Sequence, residues 1–274
     1  MIRSVRLGAD RASELAAFTR VACAYDLLTT TSVERAIFDD PDPQLVAGYY
    51  DGALDAVGVA VVRGERGFVK FLAVHPRSRR RGLGSDMLGE LEAFCVSAGA
   101  TSMSLGTSAP RYVVPGVDAR STETTCFFEA RGYARAGEAV NLTVLLTDLD
   151  EPPGDVDDAG PDELEHVRPW VSEHHPNWIA ELEAAVRIGA CVVVRDEAFA
   201  CYDVNREGWF GPTATHPDLR GRGLGTAVLL GALHRLRARG HSRAEIAWAN
   251  ALAFYSKAVG ARVSRVFWWY GKRV

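Results

Sequence analysis

The stretch His75-Pro76-Arg77-Ser78-Arg79-Arg80-Arg81-Gly82-Leu83-Gly84 returns 141 residues later as His216-Pro217-Asp218-Leu219-Arg220-Gly221-Arg222-Gly223-Leu224-Gly225. Seven of the ten positions are identical. The register then holds without a gap: Ser85 faces Thr226, Leu88 faces Leu229 and Gly99 faces Gly240. Self-similarity at this spacing marks a duplicated unit of domain size. Each copy follows an apolar run that reads as a strand, Phe68–Val74 and Trp209–Thr215. Each opens a helix with one apolar stripe, formed by Leu83, Met87, Leu88, Leu91 and Phe94 in the first copy. Leu224, Val228, Leu229, Leu233 and Leu236 form it in the second.

A Gly-rich turn at a helix N-terminus exposes unpaired N–H groups at the positive end of the helix dipole, which suits an anion. Glycines let the backbone approach a phosphate, and arginines add fork-shaped, charge-assisted contacts. The expected ligand is a pyrophosphate or something like it. No Gly-Lys-Ser/Thr follows, so the turn is not a Walker loop. Met87 and Val228 stand where a dinucleotide fingerprint has its third glycine.

The pattern Arg-x-x-Gly-x-Gly-Ser/Thr, after a strand ending in His-Pro, resembles the acyl-CoA-binding turn of the GNAT N-acetyltransferase superfamily. The closing segments Phe127-Phe128-Glu129-Ala130-Arg131-Gly132-Tyr133 and Phe254-Tyr255-Ser256-Lys257-Ala258-Val259-Gly260 add to the likeness. The family typically reads aromatic-Tyr-x-x-x-Gly there. The resemblance covers nearly the whole chain, once per half, in the arrangement of bacterial tandem acetyltransferases. It implies an α/β fold of two GNAT-like domains, each a mixed, mostly antiparallel sheet flanked by helices.

Composition agrees with a globular, water-soluble chain: 274 residues, 47% apolar and 24% charged, which suggests about two domains. The net charge of −4 argues against a general nucleic-acid binder. Five scattered cysteines, with no Cys-x-x-Cys, read as reduced thiols in the cytoplasm. Met1–Arg6 leads into a mixed helix rather than an apolar signal, and no apolar run reaches membrane-spanning length. No Cys/His cluster has metal spacing. Monomer or homodimer is expected, with no nucleic-acid or membrane partner.

Residues 1–149 read as the first domain, starting on a strand over Ile2–Leu7. A helix capped by Thr31 or Ser32 is expected to run through Phe38. Residues 150–161 read as an acidic linker with little to bury. Residues 162–274 read as the second domain, whose first strand is missing or borrowed.

The family reaction is attack of an amine on the thioester of acyl-CoA. The resemblance implies acetyl-CoA, or another acyl-CoA, as co-substrate and no metal. It maps the cofactor onto Leu72, Ala73, Val74, Arg79, Arg80, Arg81, Gly82, Leu83, Gly84 and Ser85 in the first half. In the second half it maps onto Thr213, Ala214, Thr215, Arg220, Gly221, Arg222, Gly223, Leu224, Gly225 and Thr226. The proton donor to the leaving thiolate maps to Tyr255, with one residue more than the family spacing before Gly260. The first half carries Phe128 instead. For the base, Asp203 is the better guess in the second half, beside Glu207; His174 and His175 are further candidates. Tyr112, Trp178 and Trp248 are expected to wall the acceptor pocket. The leading reading is an N-acyltransferase acting on a small primary amine. The others are an acyl-CoA-binding module with one or both halves silent, and a protein-lysine acetyltransferase.

Overall fold

The computed structural model describes residues 3–106 and 108–274, so Ile2 of the expected first strand lies outside the described residues. The chain forms two compact units, Met1–Ala139 with Val266–Val274, and Val140–Arg265.

Unit 1 begins with β1 (Arg3–Arg6), α1 (Ala12–Ala22) and α2 (Thr30–Val33). Thr29, not Thr31 or Ser32, caps α2, because its hydroxyl accepts the Ser32 N–H at 3.0 Å. A widened helical turn follows over Glu34–Phe38. Next come β2 (Gln44–Tyr50), β3 (Leu54–Arg63), β4 (Arg66–Val74), α3 (Leu83–Ser97) and β5 (Ser102–Leu105). A two-residue strand β6 (Val117–Asp118) and α4 (Thr122–Glu129) complete its local elements, and β7 (Ala134–Leu145) leads out. The order is β1-β2-β3-β4-β5, antiparallel except for the parallel pair β4–β5. Leu83, Met87, Leu88, Leu91 and Phe128 pack α3 and α4 on one face. Leu15, Phe18, Val33 and Ile37 pack α1 and α2 on the other.

Unit 2 repeats the plan. It contains β8 (Asp157–Asp158), α5 (Pro161–His174), α6 (Ile179–Arg187), β9 (Cys191–Val194) and β10 (Ala198–Tyr202). Then follow β11 (Trp209–Thr215), α7 (Leu224–Ala238), β12 (Arg243–Ile246), α8 (Leu252–Val259) and β13 (Arg262–Arg273). The first strand expected to be missing or borrowed is β8, which pairs with β9 through Asp157 and Asp158. It sits inside the stretch expected to be linker. That stretch buries Ala159 and packs Val156 against the unit 2 core, so its acidic composition hides real contacts.

What is exchanged is the last strand of each half. The C-terminal part of β7, Leu142–Leu145, pairs antiparallel with β12 in unit 2. The C-terminal part of β13 pairs with β5 and β6 in unit 1, Tyr270 facing Leu105 and Phe267 facing Asp118. The unit boundaries therefore fall at residues 139/140 and 265/266, not at the 149 and 162 read from composition.

Candidate functional site

The site in unit 1 begins where β4 and β5 part. They pair only from Arg66–Val69 and Ser102–Leu105. β4 then runs on through Val74, while Gly106 turns the other chain away. Gly106 has φ +83°, and a Cβ there would lie 2.3 Å from the Pro115 carbonyl oxygen, so only glycine fits. The opening is a cleft of about 1210 Å³. Lys70–Val74 line one wall, Ala22–Asp26 after α1 another, and Arg120–Thr122 with Phe127 a third.

The turn closes one end. The His75 ring accepts the Arg77 N–H at 3.2 Å, and the His216 ring accepts that of Asp218 at 3.4 Å, so both histidines are turn caps. Asp55 anchors the first turn, accepting from Arg77 Nε at 3.1 Å and closely from Ser78. Burial works against its ionisation, but these donors hold its carboxyl below the usual carboxylate range. Arg80 has φ 61° and Gly82 has φ +87°; the equivalents Gly221 and Gly223 have φ +80° and +85°. Both copies thus alternate in hand on the way into α3 and α7, a backbone form that makes anion-binding concavities. Beyond the turn, an aromatic ring seats against the last glycine in both units. A Cβ on Gly84 would lie 3.2 Å from Phe127, and one on Gly225 would lie 3.7 Å from Phe254.

The expected cofactor residues divide by role. Leu72, Ala73, Val74, Arg79, Arg80, Gly82, Gly84 and Ser85 all border the cleft. Arg79 is committed to backbone carbonyls, donating to Val74 at 3.1 Å and Ala22 at 2.9 Å. Arg81 lies 3.8 Å from Asp51, and Leu83 is a core residue under the turn. The sequence reading missed Arg131. Its guanidinium covers the Phe127 ring at 3.7 Å and donates to Ser85, which brings a further cation to the turn. Its signal was its place four residues after Phe127, one helical turn on.

In unit 2, β11 pairs with β12 only at Trp209 and Phe210, which leaves the edge of Thr213–Thr215 open on that side. Arg220–Thr226 form the matching turn, with Leu224 packed against the unit core. Pro212 stands where unit 1 has Phe71, and proline has no N–H to offer a ligand. Tyr255 packs edge-on against Phe210 and Phe254. Burial pushes its hydroxyl up to about 12, so it stays protonated at neutral pH. That hydroxyl makes no hydrogen bond among the described residues.

Asp203 does not have the freedom of a base. It has φ 56°, accepts from the Gly208 N–H at 2.6 Å and pairs with Arg239 at 2.8 Å. It locks the turn between β10 and β11, at the opposite end of β11 from Arg220–Gly225. His174 and His175 do lie beside the second turn. The His174 ring is 6.0 Å from that of His216, and His175 stacks on Trp178 at 4.3 Å. Burial first, then Arg220 and His174, lower the pKa of His175, which favours the neutral ring. The three expected pocket aromatics are not brought together. Tyr112 is buried in unit 1, where Val114 and Gly116–Asp118 border the cleft in its place. Trp178 packs under α5 and α6, while the Trp248 N–H donates to Asn141 after β12.

Two parallel strands that part beside a glycine turn and a helix define an acetyltransferase-type fold in each unit. The sequence profile of the Acetyltransferase (GNAT) family matches residues 14–113 and 143–261, and the chain belongs to that family. No curated protein matches it significantly. Among solved structures, the glucosamine N-acetyltransferase region of a fungal multi-domain GH3 β-N-acetylglucosaminidase aligns with a TM-score of 0.80 at 18% identity. That alignment covers 99% of this chain but only 38% of that longer protein. A GCN5-related N-acetyltransferase from Sphaerobacter thermophilus aligns at 0.71 and 17% identity, covering 99% and 95%. The tandem GNAT protein of the clavulanic acid biosynthesis pathway aligns at 0.74 and 15%, covering 100% and 98%. At these identities the likeness is one of fold.

Proposed function

We propose that the protein is an N-acyltransferase that takes an acetyl group from acetyl-CoA to the primary amine of a small molecule. One observation carries this reading: the 1210 Å³ cleft of unit 1, bounded at once by the glycine turn and by the free edge of β4. Pantetheine added beside that edge would pair as an extra strand, with the pyrophosphate at Arg80–Ser85. Small-molecule sites commonly occupy about 300–1,000 Å³, so the cleft leaves room for an acceptor beside the cofactor. The amine nitrogen bonds to the thioester carbon as the C–S bond breaks. The ammonium proton leaves to a base, and the thiolate takes a proton. A backbone N–H of β4 facing the carbonyl oxygen would stabilise the charge that develops there. The reading extends to a monomer or homodimer in the cytoplasm, free of nucleic acid and membrane. Among the described residues no helix is long and apolar enough to cross a membrane.

A second reading puts the chemistry in unit 2. It is favoured by the unengaged Tyr255 hydroxyl, with His175 beside the turn as base. Pro212 speaks for unit 1.

Titration calorimetry with acetyl-CoA tests the proposal, together with thiol release in an acceptor screen. Gly84→Glu would crowd the Phe127 wall and set a like charge against the phosphates, so it should abolish the unit 1 site. Gly225→Glu should do the same in unit 2. Binding with no turnover on any amine would favour the silent binding module, and turnover on protein lysines the lysine acetyltransferase. Absence of binding to the wild type would overturn the proposal.

A further inference from the structure

Unit 1 has a second opening, on the face of its sheet turned away from α3. Met103 and Leu105 of β5 and Tyr270 of β13 belong to the core beneath α3. Side chains alternate along a strand, so Ser102, Ser104, Trp269, Gly271 and Arg273 lie on the opposite face. There α1 and α2 pack against β2, β3 and β4 through Val46, Val59 and Ala73, and that cluster takes no residue of β5 or β13. The part left uncovered holds a groove of about 460 Å³. Every residue lining it belongs to unit 1. Small-molecule sites commonly span about 300–1,000 Å³.

Strand register sets a row of three across this groove. Arg66 pairs with Ser102, and Ser102 with Arg273. The next row toward the glycine turn is Phe68, Ser104 and Gly271. Neighbouring strands lie about 4.8 Å apart, so the two arginines start about 10 Å apart across the central serine and can close on one anion. The Arg66 guanidinium lies 6.0 Å from the Phe68 ring and makes no ion pair among the described residues. Among those residues the side chains of Ser102, Ser104 and Arg273 make no hydrogen bond or ion pair. Lys272, by contrast, is already paired with Glu92 of α3 at 2.9 Å. No aspartate or glutamate lines the groove. Gly271 leaves its floor open, since a Cβ there would meet nothing nearer than the Met103 carbonyl oxygen at 3.9 Å. Trp269 closes the far end, packed so near Gly137 that a Cβ there would lie 2.7 Å from its ring. From Arg273 to Trp269 the strand runs about 13 Å.

We propose that this groove is a second ligand site, for a phosphate monoester of about nucleotide size. The phosphate sits on the row Arg66, Ser102 and Arg273, and the rest of the molecule runs over Ser104 and Gly271 to Trp269. A phosphate monoester carries a charge of about −1.5 to −2 and three acceptor oxygens. Two guanidinium forks and a hydroxyl, brought from three strands, match that set. A carboxylate has two oxygens, which one fork satisfies, and the second arginine would go unused. A cation would meet two guanidiniums and no carboxylate. The groove begins at Arg66, the opposite end of β4 from the glycine turn, and it does not require acyl transfer in unit 1.

Calorimetry on the full chain with AMP, adenosine and inorganic phosphate tests the site. AMP should bind the wild type with a Kd below about 1 mM. Adenosine should bind at least about tenfold more weakly, because the charge-assisted hydrogen bonds to the phosphate are gone. Arg273→Gln removes one fork at an exposed position and should bring AMP within about threefold of adenosine. Gly271→Val fills the floor with a residue that suits a strand and leaves both arginines in place, so it should weaken AMP by about tenfold or more. Should Gly271→Val fail to fold, Ser104→Leu fills the same floor from β5. Absence of AMP binding to the wild type overturns the proposal. AMP affinity that Arg273→Gln and Gly271→Val both leave unchanged puts the nucleotide elsewhere and overturns it too. Inorganic phosphate binding as tightly as AMP would reduce the groove to an anion patch and refute a site for the whole molecule.

Discussion

Cutting the chain where its composition suggests, to give residues 1–149, removes the last strand of unit 1. Val266–Val274 belongs to that unit. Phe267 and Tyr270 are 0% and 1% exposed there. The Tyr270 hydroxyl donates to Glu129 at 3.2 Å, and Lys272 Nζ lies 2.9 Å from Glu92. Losing a large buried aromatic costs about 3–5 kcal/mol, so losing two costs about 6–10 kcal/mol before any ladder bond is counted. A whole domain is stable by only about 5–15 kcal/mol. The same cut strands Leu142 and Val144, which are core residues of unit 2, on an unpaired apolar strand. The 1–149 fragment should therefore give no cooperative melt by circular dichroism, aggregate, and fail to bind acetyl-CoA in a calorimeter. Residues 1–139 joined to 266–274 through a flexible linker of about eight residues should recover both the melt and the binding. A 1–149 fragment that melts cooperatively and binds acetyl-CoA as well as the rejoined chain would refute the strand exchange.

Three further outcomes are expected. Tyr255→Phe should lower turnover by about 10²–10⁴ if unit 2 performs the transfer, with little change in melting because the hydroxyl holds no hydrogen bond among the described residues. Unchanged turnover assigns proton donation to unit 1. Asp203→Ala unpairs Arg239 and the Gly208 N–H, so it should cost about 2–4 kcal/mol in denaturant melts at unchanged kcat; a fall in kcat with full stability would restore Asp203 as a base. The third concerns pH. The Lys70 ammonium falls from 10.5 to about 8 on folding, so between these values the unfolded chain binds more protons. Stability must then rise with pH across that window, by up to about 3 kcal/mol from this group. Burial of the Cys95 thiol, pushed up to about 11, acts in the opposite direction above pH 9. The informative quantity is therefore the stability of wild type minus that of Lys70→Met, measured by urea melts from pH 8 to 10. A flat or falling difference contradicts the assignment.

The glycine turns were legible because their cause is local. Positive φ at Gly82 and Gly223 and an apolar stripe on the following helix are written within one stretch of chain, twice over. So were the strand before each turn and the family likeness that follows from them. The destination of β7 and β13 was not legible. A period-two pattern says that a segment is a strand with one buried face, and is silent about which sheet edge receives it. Asp157–Asp158 went unread as a strand because two acidic residues have no pattern, and β9 alone recruits them. Asp203 looked available until the fold brought Arg239 to it from 36 residues away. The charge of Lys70 stood plainly in an apolar run, yet its partner Asp40 lies 30 residues before it and is shared with Arg63 of the neighbouring strand. The sequence by itself determined two glycine turns of the GNAT pattern and the α/β repeat around them, since backbone conformation and amphipathic period are short-range properties. Only the tertiary structure decided which strand closes each unit, which carboxylates are already spent, and which cations face the cleft, since those depend on contacts between residues far apart in the chain.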